Sequence, residues 1–430
     1  MPATHANTPE SPIGPHPAQL RTVAAVALEA DWADPHPRMA TTANPRLDRD
    51  VLTVTAPAPA TPIITDADRR RTMEPFAKES KLRSWSVLLS SVFLMVAALV
   101  VAALIPMALW PLRILASVVG GLIMVRIFII YHDHWHGSFL RNSRIAGWFF
   151  TAYGMLVMSP KRMWKYSHNH HHAHVGKPAK KGAGDMPLVV SEIGSFPLMS
   201  IDQWLNASWQ HKLLYRVTRH PITLVFANIT VFALSLCLIP AIQSPKKFWD
   251  GLVALAVHAA LLTGMIVGLG FEITFFALIL PYLVAASAGA FLFFVQHNYP
   301  GMKLMPEAEW TVQEAAMESS GFLALGPIGR WFTGNIGFHH VHHLNSRIPF
   351  YRLPAASEAL ANLEPLPVVK IGLFDMYACT RLNLWDATRD ELVPYSAARK
   401  QARLRRAEAL AVGALPVIDN PAAVSVPSGG

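Results

Sequence analysis

Histidine is the residue type whose distribution most clearly indicates chemistry in this chain of 430 residues. Twelve of its 19 histidines fall in three short windows, residues 132–136, 168–174 and 339–343. Imidazole nitrogens bind Zn, Cu, Fe and Ni, so clustered histidines indicate a metal site without selecting the metal. The first chemistry that the sequence predicts is therefore metal binding.

Within each window the histidines recur at helical spacing. Residues three and four positions apart lie on one face of a helix, so each window presents several imidazoles in one direction. The candidate metal ligands on these faces are His132, His136, His168, His171, His172, His339, His342 and His343. Eight nitrogens exceed the four of a structural zinc site and are enough for two metal ions. The histidines that point away from these faces, and are not expected to bind, are His134, His170, His174 and His340.

The composition predicts that membrane helices position these windows. Apolar residues make up 52% of the chain and charged residues 15%, which excludes global disorder and disfavours a soluble enzyme. The apolar runs 84–110 and 114–130 form a transmembrane hairpin, because a bilayer core needs about 20 apolar residues. Basic residues precede the hairpin, so the first histidine window is expected on the cytoplasmic side. Arg126, near the end of the second run, is expected to extend its side chain to the interface.

The later apolar runs decide on which side of the membrane the other windows lie. The run 145–158 is too short to cross and is expected to lie in the interface. The runs 222–242, 252–271 and 273–295 precede the third window. An even number of them must cross if all three windows build one site. We expect the 252–271 run to be the re-entrant or peripheral one.

The predicted fold is an all-α polytopic membrane protein. It has about four transmembrane helices, interfacial or re-entrant segments, and a cytoplasmic helical cap that holds the metal site. Residues 1–70 are expected to be a disordered tail and residues 71–390 the membrane domain. Residues 391–430 are expected to be a basic helical stretch followed by a disordered tail, and the polar stretch 161–220 is expected to be cytoplasmic. The net charge of +9 is better explained by cytoplasmic anchoring than by nucleic-acid binding.

The three windows resemble the histidine boxes of the membrane-bound fatty acid desaturases. The boxes read H-x3-H followed by Gly-Ser-Phe, then H-x2-H-H, then a late H-x2-H-H. The sequences around the boxes are also similar to those of this family, at residues 126–130, 164–167, 334–338 and 344–349. The last of these sequences is similar to the acyl-lipid, delta-12 (omega-6) branch. The resemblance covers about residues 60–370 and departs at His134, where the family commonly has Cys.

The resemblance implies a di-iron centre that uses O₂ and two external electrons to remove two hydrogens from adjacent methylene groups. A saturated chain offers no acid, base or electrophile to attack, so the oxidising power must come from the metal. His297 is implied as a ninth ligand, because Gln296-His297 resembles a Gln-His pair of the acyl-lipid desaturases. The acyl-CoA branch has an Asn four residues earlier, where this chain has Phe293. Asp133 and Asn335 are expected to orient ligand rings.

The implied substrate is the acyl chain of a membrane lipid, and nucleic acid is not an expected partner. A separate electron-donor protein, such as ferredoxin or a cytochrome, is expected because the sequence lacks the His-Pro-Gly-Gly signature of a fused cytochrome b5 domain. The plasma membrane is favoured over the endoplasmic reticulum. Two alternatives remain. One is a fatty acid or carotenoid hydroxylase or ketolase of the same superfamily. The other is a metal transporter, which is disfavoured because transporters place such ligands near the bilayer midplane.

Overall fold

The structure is a computed structural model that describes residues 64–177, 196–366 and 368–413. The described chain is mainly helical, which confirms the predicted all-α class. Its helices are α1 Asp66–Met73, α2 Lys81–Leu104, α3 Trp110–His136, α4 Arg144–Leu156, α5 Lys161–His174, α6 Ile201–Asn206, α7 Trp209–Thr218, α8 Pro221–Val225, α9 Ile239–Gln243, α10 Pro245–Phe248, α11 Asp250–Leu269, α12 Phe271–Thr274, α13 Leu280–Gln296, α14 Val312–Glu318, α15 Pro327–Phe332, α16 His339–Leu344, α17 Leu353–Leu363, α18 Leu373–Cys379 and α19 Tyr395–Gly413.

Shorter elements connect these helices. The π-helical segments are Asn228–Leu238 and Phe275–Ile279, and the 3-10 turns are Glu74–Ala77, Met107–Leu109 and Phe350–Arg352. The strands, each of two or three residues, are β1 Met199–Ser200, β2 Phe322–Leu323, β3 Lys370–Ile371, β4 Leu384–Asp386 and β5 Glu391–Val393. β4 pairs with both β1 and β5, and β2 pairs in parallel with β3.

Four helices of the described chain are long and apolar enough to cross a membrane. They are α2, α3 with its preceding turn, α11, and α12 continued into α13. α2 begins after Ser80, whose side chain accepts a hydrogen bond from the N–H of Arg83. α3 ends at Gly137, where φ of 77° requires the left-handed conformation that glycine tolerates. Four crossings are an even number, so α3 and α13 both end on one side of the membrane, here called the histidine side.

The prediction that the 252–271 run is re-entrant or peripheral is wrong. That run forms α11, a continuous helix of 20 residues. The run 222–242 is instead divided into α8, a π-helical segment and α9, and its continuous apolar helix is only Asn228–Gln243. Pro240 at the start of α9 contributes to the division, because proline cannot donate the next helical hydrogen bond.

Both ends of this divided segment lie on the histidine side. Arg219, just before α8, donates through its guanidinium to Asn298, which follows the end of α13. Asp250, just after α10, accepts a hydrogen bond from the backbone N–H of Arg162 at the start of α5. The segment therefore enters and leaves the membrane on one side, and the even count of crossings is kept.

The predicted path of the Arg126 side chain to the interface is wrong. Arg126 is buried in α3, and its Nε lies 3.0 Å from the Ser91 hydroxyl. Its guanidinium donates to the carbonyl of Trp331 and lies over the ring of the same residue. Neighbouring helices supply acceptors at this depth, so the cation is solvated by protein rather than by the interface. Arg126 thereby joins α2 and α3 to the segment that leads into the third histidine window.

α4 is the short helix expected in the interface, and its last carbonyls need partners away from water. His258 of α11 donates from Nδ1 to the carbonyl of Leu156 at 2.9 Å. The hydroxyl of Tyr282 donates to the carbonyl of Val157, also at 2.9 Å. The end of α4 is therefore fixed by two spanning segments of the chain.

Only parts of the predicted tails fall within the described residues. Residues 66–70, assigned to the N-terminal tail, belong to α1, whose Arg69 pairs with Glu364 at 2.6 Å and with Glu314 at 2.9 Å. The predicted basic helical stretch lies within α19. Residues 1–63 and 414–430 lie outside the described residues. Both cysteines, Cys237 and Cys379, are buried as free thiols.

Candidate metal centre

The structure brings the nine histidines singled out from the sequence into two clusters. The first cluster contains His132, His136, His168, His172 and His342, and the second contains His171, His297, His339 and His343. Within each cluster the candidate ligand nitrogens all lie within 4.8 Å of one another. The two clusters offer five and four imidazoles, respectively, so each has enough nitrogens for one metal ion.

Four helix ends build the clusters. α3 supplies the first window, α5 the second, α16 the third, and His297 follows directly after α13. Two of these helices contribute to both clusters. α5 directs His168 and His172 to the first cluster and His171 to the second. α16 directs His342 to the first cluster and His339 and His343 to the second. A change in either helix therefore affects both clusters.

The spacing of nitrogen atoms within the clusters fits metal coordination. Two nitrogens bound at right angles at about 2.1 Å from one ion lie about 3.0 Å apart. The Nε2–Nε2 distances are 2.8 Å for His297–His339, 3.0 Å for His171–His343, and 3.1 Å for His339–His343, His168–His172 and His172–His342. A neutral imidazole Nε2 carries either one proton or one lone pair, so mutual hydrogen bonds cannot satisfy an Nε2 that faces two others. A shared cation satisfies all of them.

Burial keeps these imidazoles neutral. Burial is the main reason that the pKa of each candidate ligand in α5 and α16 lies well below its usual value, and nearby imidazoles lower it further. These candidates are His168, His171, His172, His339, His342 and His343. Burial also lowers the pKa of His297 to about 4. Neutral imidazoles have the free lone pair that a metal needs. The Nδ1–H of His297 donates to the carbonyl of Ser319 at 2.9 Å, which leaves its Nε2 lone pair facing the second cluster.

Asp133 fixes the orientation of the His132 ring. Its Oδ1 accepts a hydrogen bond from Nδ1 of His132 at 3.0 Å, so the lone pair of His132 lies on Nε2. Its Oδ2 accepts from the backbone N–H of Phe350 at 2.7 Å. Asp133 therefore links α3 to the segment that follows the third window.

We expect Asp133→Asn to weaken metal binding by about 10–100-fold, because an amide cannot accept from both His132 and the Phe350 N–H. The measurement is a titration of metal-free protein with Fe²⁺. Ser138→Ala is the matched control, since Ser138 is buried and its hydroxyl donates to the carbonyl of Asp133 at 3.0 Å. Equal metal affinity in both variants would show that the carboxylate has no role in orienting the ring.

The geometry differs from the expectation for Asn335. Its side-chain N–H donates to the carbonyl of Phe350 at 3.2 Å, and its φ of 54° places it in a left-handed turn before α16. Asn335 therefore shapes the segment that carries the third window, and its hydrogen bond goes to backbone rather than to an imidazole. Asparagine is common in such turns because it tolerates the left-handed conformation.

The histidines expected to point away do so. His134 donates from Nδ1 to the carbonyl of Phe139 at 3.0 Å, and Nε2 of His340 lies 3.3 Å from the hydroxyl of Ser357. The rings of His170 and His174 stack on each other at 3.9 Å, with 10° between their planes. None of these four belongs to either cluster of the described residues.

Asp250 is a positioning residue that sequence reasoning missed. α5 follows Pro160 and has no side-chain cap of its own. Oδ2 of Asp250 takes that role, accepting from the N–H of Arg162 at 3.0 Å, and a carboxylate at a helix N-terminus is stabilising. The available signal was an acidic residue at the very start of an apolar run. Trp164 was noted only as part of the sequence 164–167 and was given no role, and its ring stacks on His168 at 4.6 Å.

An apolar cavity extends from the clusters into the bundle. Three cluster members contribute to its wall, which are His132, His168 and His339. One face of α13 lines it with small side chains, namely Ala285, Ala286, Gly289 and Ala290. Larger apolar residues complete the wall, including Phe128, Val231, Phe232, Leu236 and Tyr282. The cavity joins a metal-binding geometry to a space that suits hydrocarbon.

Comparison with known proteins identifies one family. A family model described as fatty acid desaturase matches residues 108–370. The chain is 30% identical over 288 residues to a fatty acid desaturase of Bacillus subtilis (strain 168), covering 66% of this chain and 78% of that protein. It is 23% identical over 290 residues to a delta(12) fatty acid desaturase of Mortierella isabellina, covering 59% and 70%. It is 24% identical over 266 residues to the sn-1 acyl-lipid omega-3 desaturase (ferredoxin) of Synechocystis, covering 56% and 66%.

These matches confirm the resemblance found in the three histidine windows and remove the metal transporter as an alternative. The match includes all nine clustered histidines and all of the cavity-lining residues. The structure also contains what a desaturase needs. A group of imidazoles that could hold a metal lies at one end of a membrane-embedded apolar cavity. The chain therefore belongs to the fatty acid desaturase family and is a membrane-bound desaturase enzyme.

Proposed function

We propose that this enzyme introduces a cis double bond into the acyl chain of a membrane lipid, with delta-12 (omega-6) selectivity, at two irons held by the two histidine clusters. The observation that carries the proposal is the apolar cavity whose wall includes members of both clusters. O₂, two electrons and two protons complete the reaction, and two molecules of water are the other product. The delta(12) desaturase of Mortierella isabellina among the relatives supports the choice of position.

The two irons would be held by neutral imidazoles. His132, His136, His168, His172 and His342 would hold one, and His171, His297, His339 and His343 would hold the other. Iron with O₂ supplies the oxidising power that breaks two unactivated C–H bonds. The remaining task of the protein is to hold the acyl chain still, to keep water away and to fix the ligand rings. Asp133 would fix the ring of His132 in this way.

The cavity would bind the acyl chain beside both clusters. Slipping a buried chain by one methylene costs about 0.8 kcal/mol of transfer free energy, or roughly fourfold, so burial alone places a double bond poorly. A fixed wall is needed. Tyr282, which lines the cavity, bonds to the carbonyl of Val157, another lining residue, and this hydrogen bond gives the wall a defined shape.

The electron donor would be a separate protein on the histidine side, which we propose to be the cytoplasmic face of a plasma membrane. The Synechocystis relative is named for ferredoxin, which supports a small soluble donor. The net charge of +9 favours an acidic one. Basic residues that precede α2 support the cytoplasmic assignment through the positive-inside rule.

Expression in a host that lacks polyunsaturated lipids tests the proposed reaction. We expect gas chromatography of the lipids to show a diunsaturated acid whose new bond lies at the delta-12 position, because the substrate would be a monounsaturated lipid chain. A product heavier by one oxygen would identify a hydroxylase instead. A double bond at another position would contradict the selectivity but not the desaturation.

We expect the purified enzyme to contain about two irons per chain, because the clusters offer nine imidazoles and a single site uses about four. Metal analysis by mass spectrometry measures this directly. Active protein with one zinc and no iron would contradict the proposal. Chelation should remove both activity and iron together, and Fe²⁺ should restore both.

A further inference from the structure

Two short helices outside the spanning segments expose unusually apolar faces. On α7, Trp209, Leu213 and Val217 recur every fourth residue and are 70%, 54% and 52% exposed. On α18, Phe374 is 97% exposed, and Leu373 and Tyr377 are exposed beside it. α7 lies in the stretch that its overall polarity assigned to the cytoplasm. Large apolar side chains grouped on one face are the mark of a surface that binds apolar material.

Both helices are held at the level where the spanning helices end. Arg219, directly after α7, is buried and donates to the carbonyl of Pro197 at 2.8 Å and to the side chain of Asn298. Asn298 lies two residues beyond the end of α13, and its amide donates to the carbonyl of Cys379, the last residue of α18, at 2.6 Å. The ends of α7 and α18 therefore lie beside the histidine-side end of α13.

The chain also runs from α7 directly into the membrane. α8 begins two residues after Arg219, and the carbonyl of Val225 at its end accepts a hydrogen bond from Ser287 of α13 at 2.5 Å. Ser287 lies nine residues before the end of α13, which is about 13 Å of helix. A segment that descends this far within a few residues must start close to the membrane surface.

We infer that α7 and α18 form one platform that inserts its apolar faces into the lipid leaflet on the histidine side. A surface helix binds a membrane through an apolar face about 5–10 Å deep and through cations that contact the head groups. Arg216 on α7, and Lys370 and Arg381 flanking α18, are exposed and supply these cations. The occupant of the platform is thus phospholipid, because the apolar faces continue the surface of the spanning bundle and cations border them.

The test places a fluorescent label on each apolar face of the full-length protein in phospholipid nanodiscs. The labelled variants are Leu213→Cys and Phe374→Cys, and the control is Leu404→Cys on α19, where leucine is also 54% exposed. The two natural cysteines are buried, and the unsubstituted protein carried through the same labelling gives the background. Quenching is measured with lipids brominated on their acyl chains and, separately, with iodide in the water.

We expect brominated lipid to reduce the emission at positions 213 and 374 at least about twofold, with little effect of iodide, since both labels would lie within the acyl boundary. Position 404 should show the reverse pattern. Iodide quenching at either 213 or 374 equal to that at 404 would overturn the platform. Protection from both quenchers would also overturn it, because a protein or another part of this chain would then cover these faces. A donor protein whose binding protects positions 213 and 374 from iodide would also overturn the platform, because these faces would then bind protein rather than lipid.

Discussion

Replacing His297 by alanine should abolish desaturation while leaving the protein folded and in the membrane. His297 Nε2 lies 2.8 Å from His339 Nε2 in the four-histidine cluster, so its loss leaves three imidazoles for one ion. Even residues that only support a metal ligand cost about 10–100-fold when removed, so the loss of a ligand should cost at least about 100-fold in activity. Iron should fall from about two per chain to about one, because the first cluster keeps all of its members.

Two measurements separate this result from simple unfolding. Chromatography of the detergent-solubilised variant reports its folding, and metal analysis on the same fraction reports its iron. His174→Ala is the matched control, because His174 is exposed, lies in the second window and belongs to neither cluster. Near-normal activity and full iron in His297→Ala would show that His297 only donates to the Ser319 carbonyl and that the centre uses eight protein ligands.

Replacing Gly289 by leucine should block the cavity without disturbing the metal. Gly289 lines the cavity, and a Cβ added there meets no heavy atom within 4 Å, so the new side chain points into open space. A leucine side chain has four carbon atoms and takes the room of about four methylene groups. At about 0.8 kcal/mol for each, the loss is roughly 3.2 kcal/mol, or about 200-fold in the rate at low substrate.

The matched control is Gly264→Leu in the spanning helix α11. A Cβ at Gly264 also meets nothing within 4 Å, but Gly264 is exposed on the outside of the bundle. Both substitutions replace a helix-interior glycine and so gain about 0.8–1.0 kcal/mol of helix propensity. Activity and iron are measured for both variants. Equal activity in both would mean that the acyl chain does not occupy this cavity, whereas iron loss in Gly289→Leu would mean that the substitution disturbs the clusters.

The two predictions probe different parts of one arrangement. His297→Ala removes a proposed metal ligand and leaves the hydrocarbon space, while Gly289→Leu fills that space and leaves the proposed ligands. Gly289 lies in α13, and His297 follows the last residue of α13, eight residues further along the chain. One helix therefore carries a wall of the cavity and positions a proposed ligand at its end. Because this helix is rigid, it would keep the bound acyl chain aligned with the metals.

The sequence by itself determined the candidate metal ligands and the class of fold. Helical spacing of three and four residues brings imidazoles to one face whatever the rest of the chain does, so the eight box histidines were readable without a structure. His297 stands alone, and it was predicted from its place directly after the apolar run 273–295 together with the resemblance of Gln296-His297 to a Gln-His pair of the family. Runs of about 20 apolar residues likewise fix spanning helices locally, which is why α2, α3 and the stretch from α12 to α13 were found near their observed positions.

Tertiary structure alone decided which run crosses and how the ligands are shared. The runs 222–242 and 252–271 have similar lengths and apolar character. Whether each run crosses the membrane depends on contacts with residues distant in sequence, such as Asn298 for Arg219 and Arg162 for Asp250. Hydropathy counts residues one at a time and contains no information about such pairs. The fate of Arg126 was misjudged for the same reason, because its acceptors come from α2 and from the segment before α16.

The division of nine histidines into two clusters also depends on tertiary structure. Spacing places His168, His171 and His172 on one face of α5, but it does not say that His171 turns to one cluster while its two neighbours turn to the other. That choice follows from where α3, α13 and α16 end around α5. Local periodicity fixes which side chains share a face, whereas the packing of whole helices fixes what that face meets.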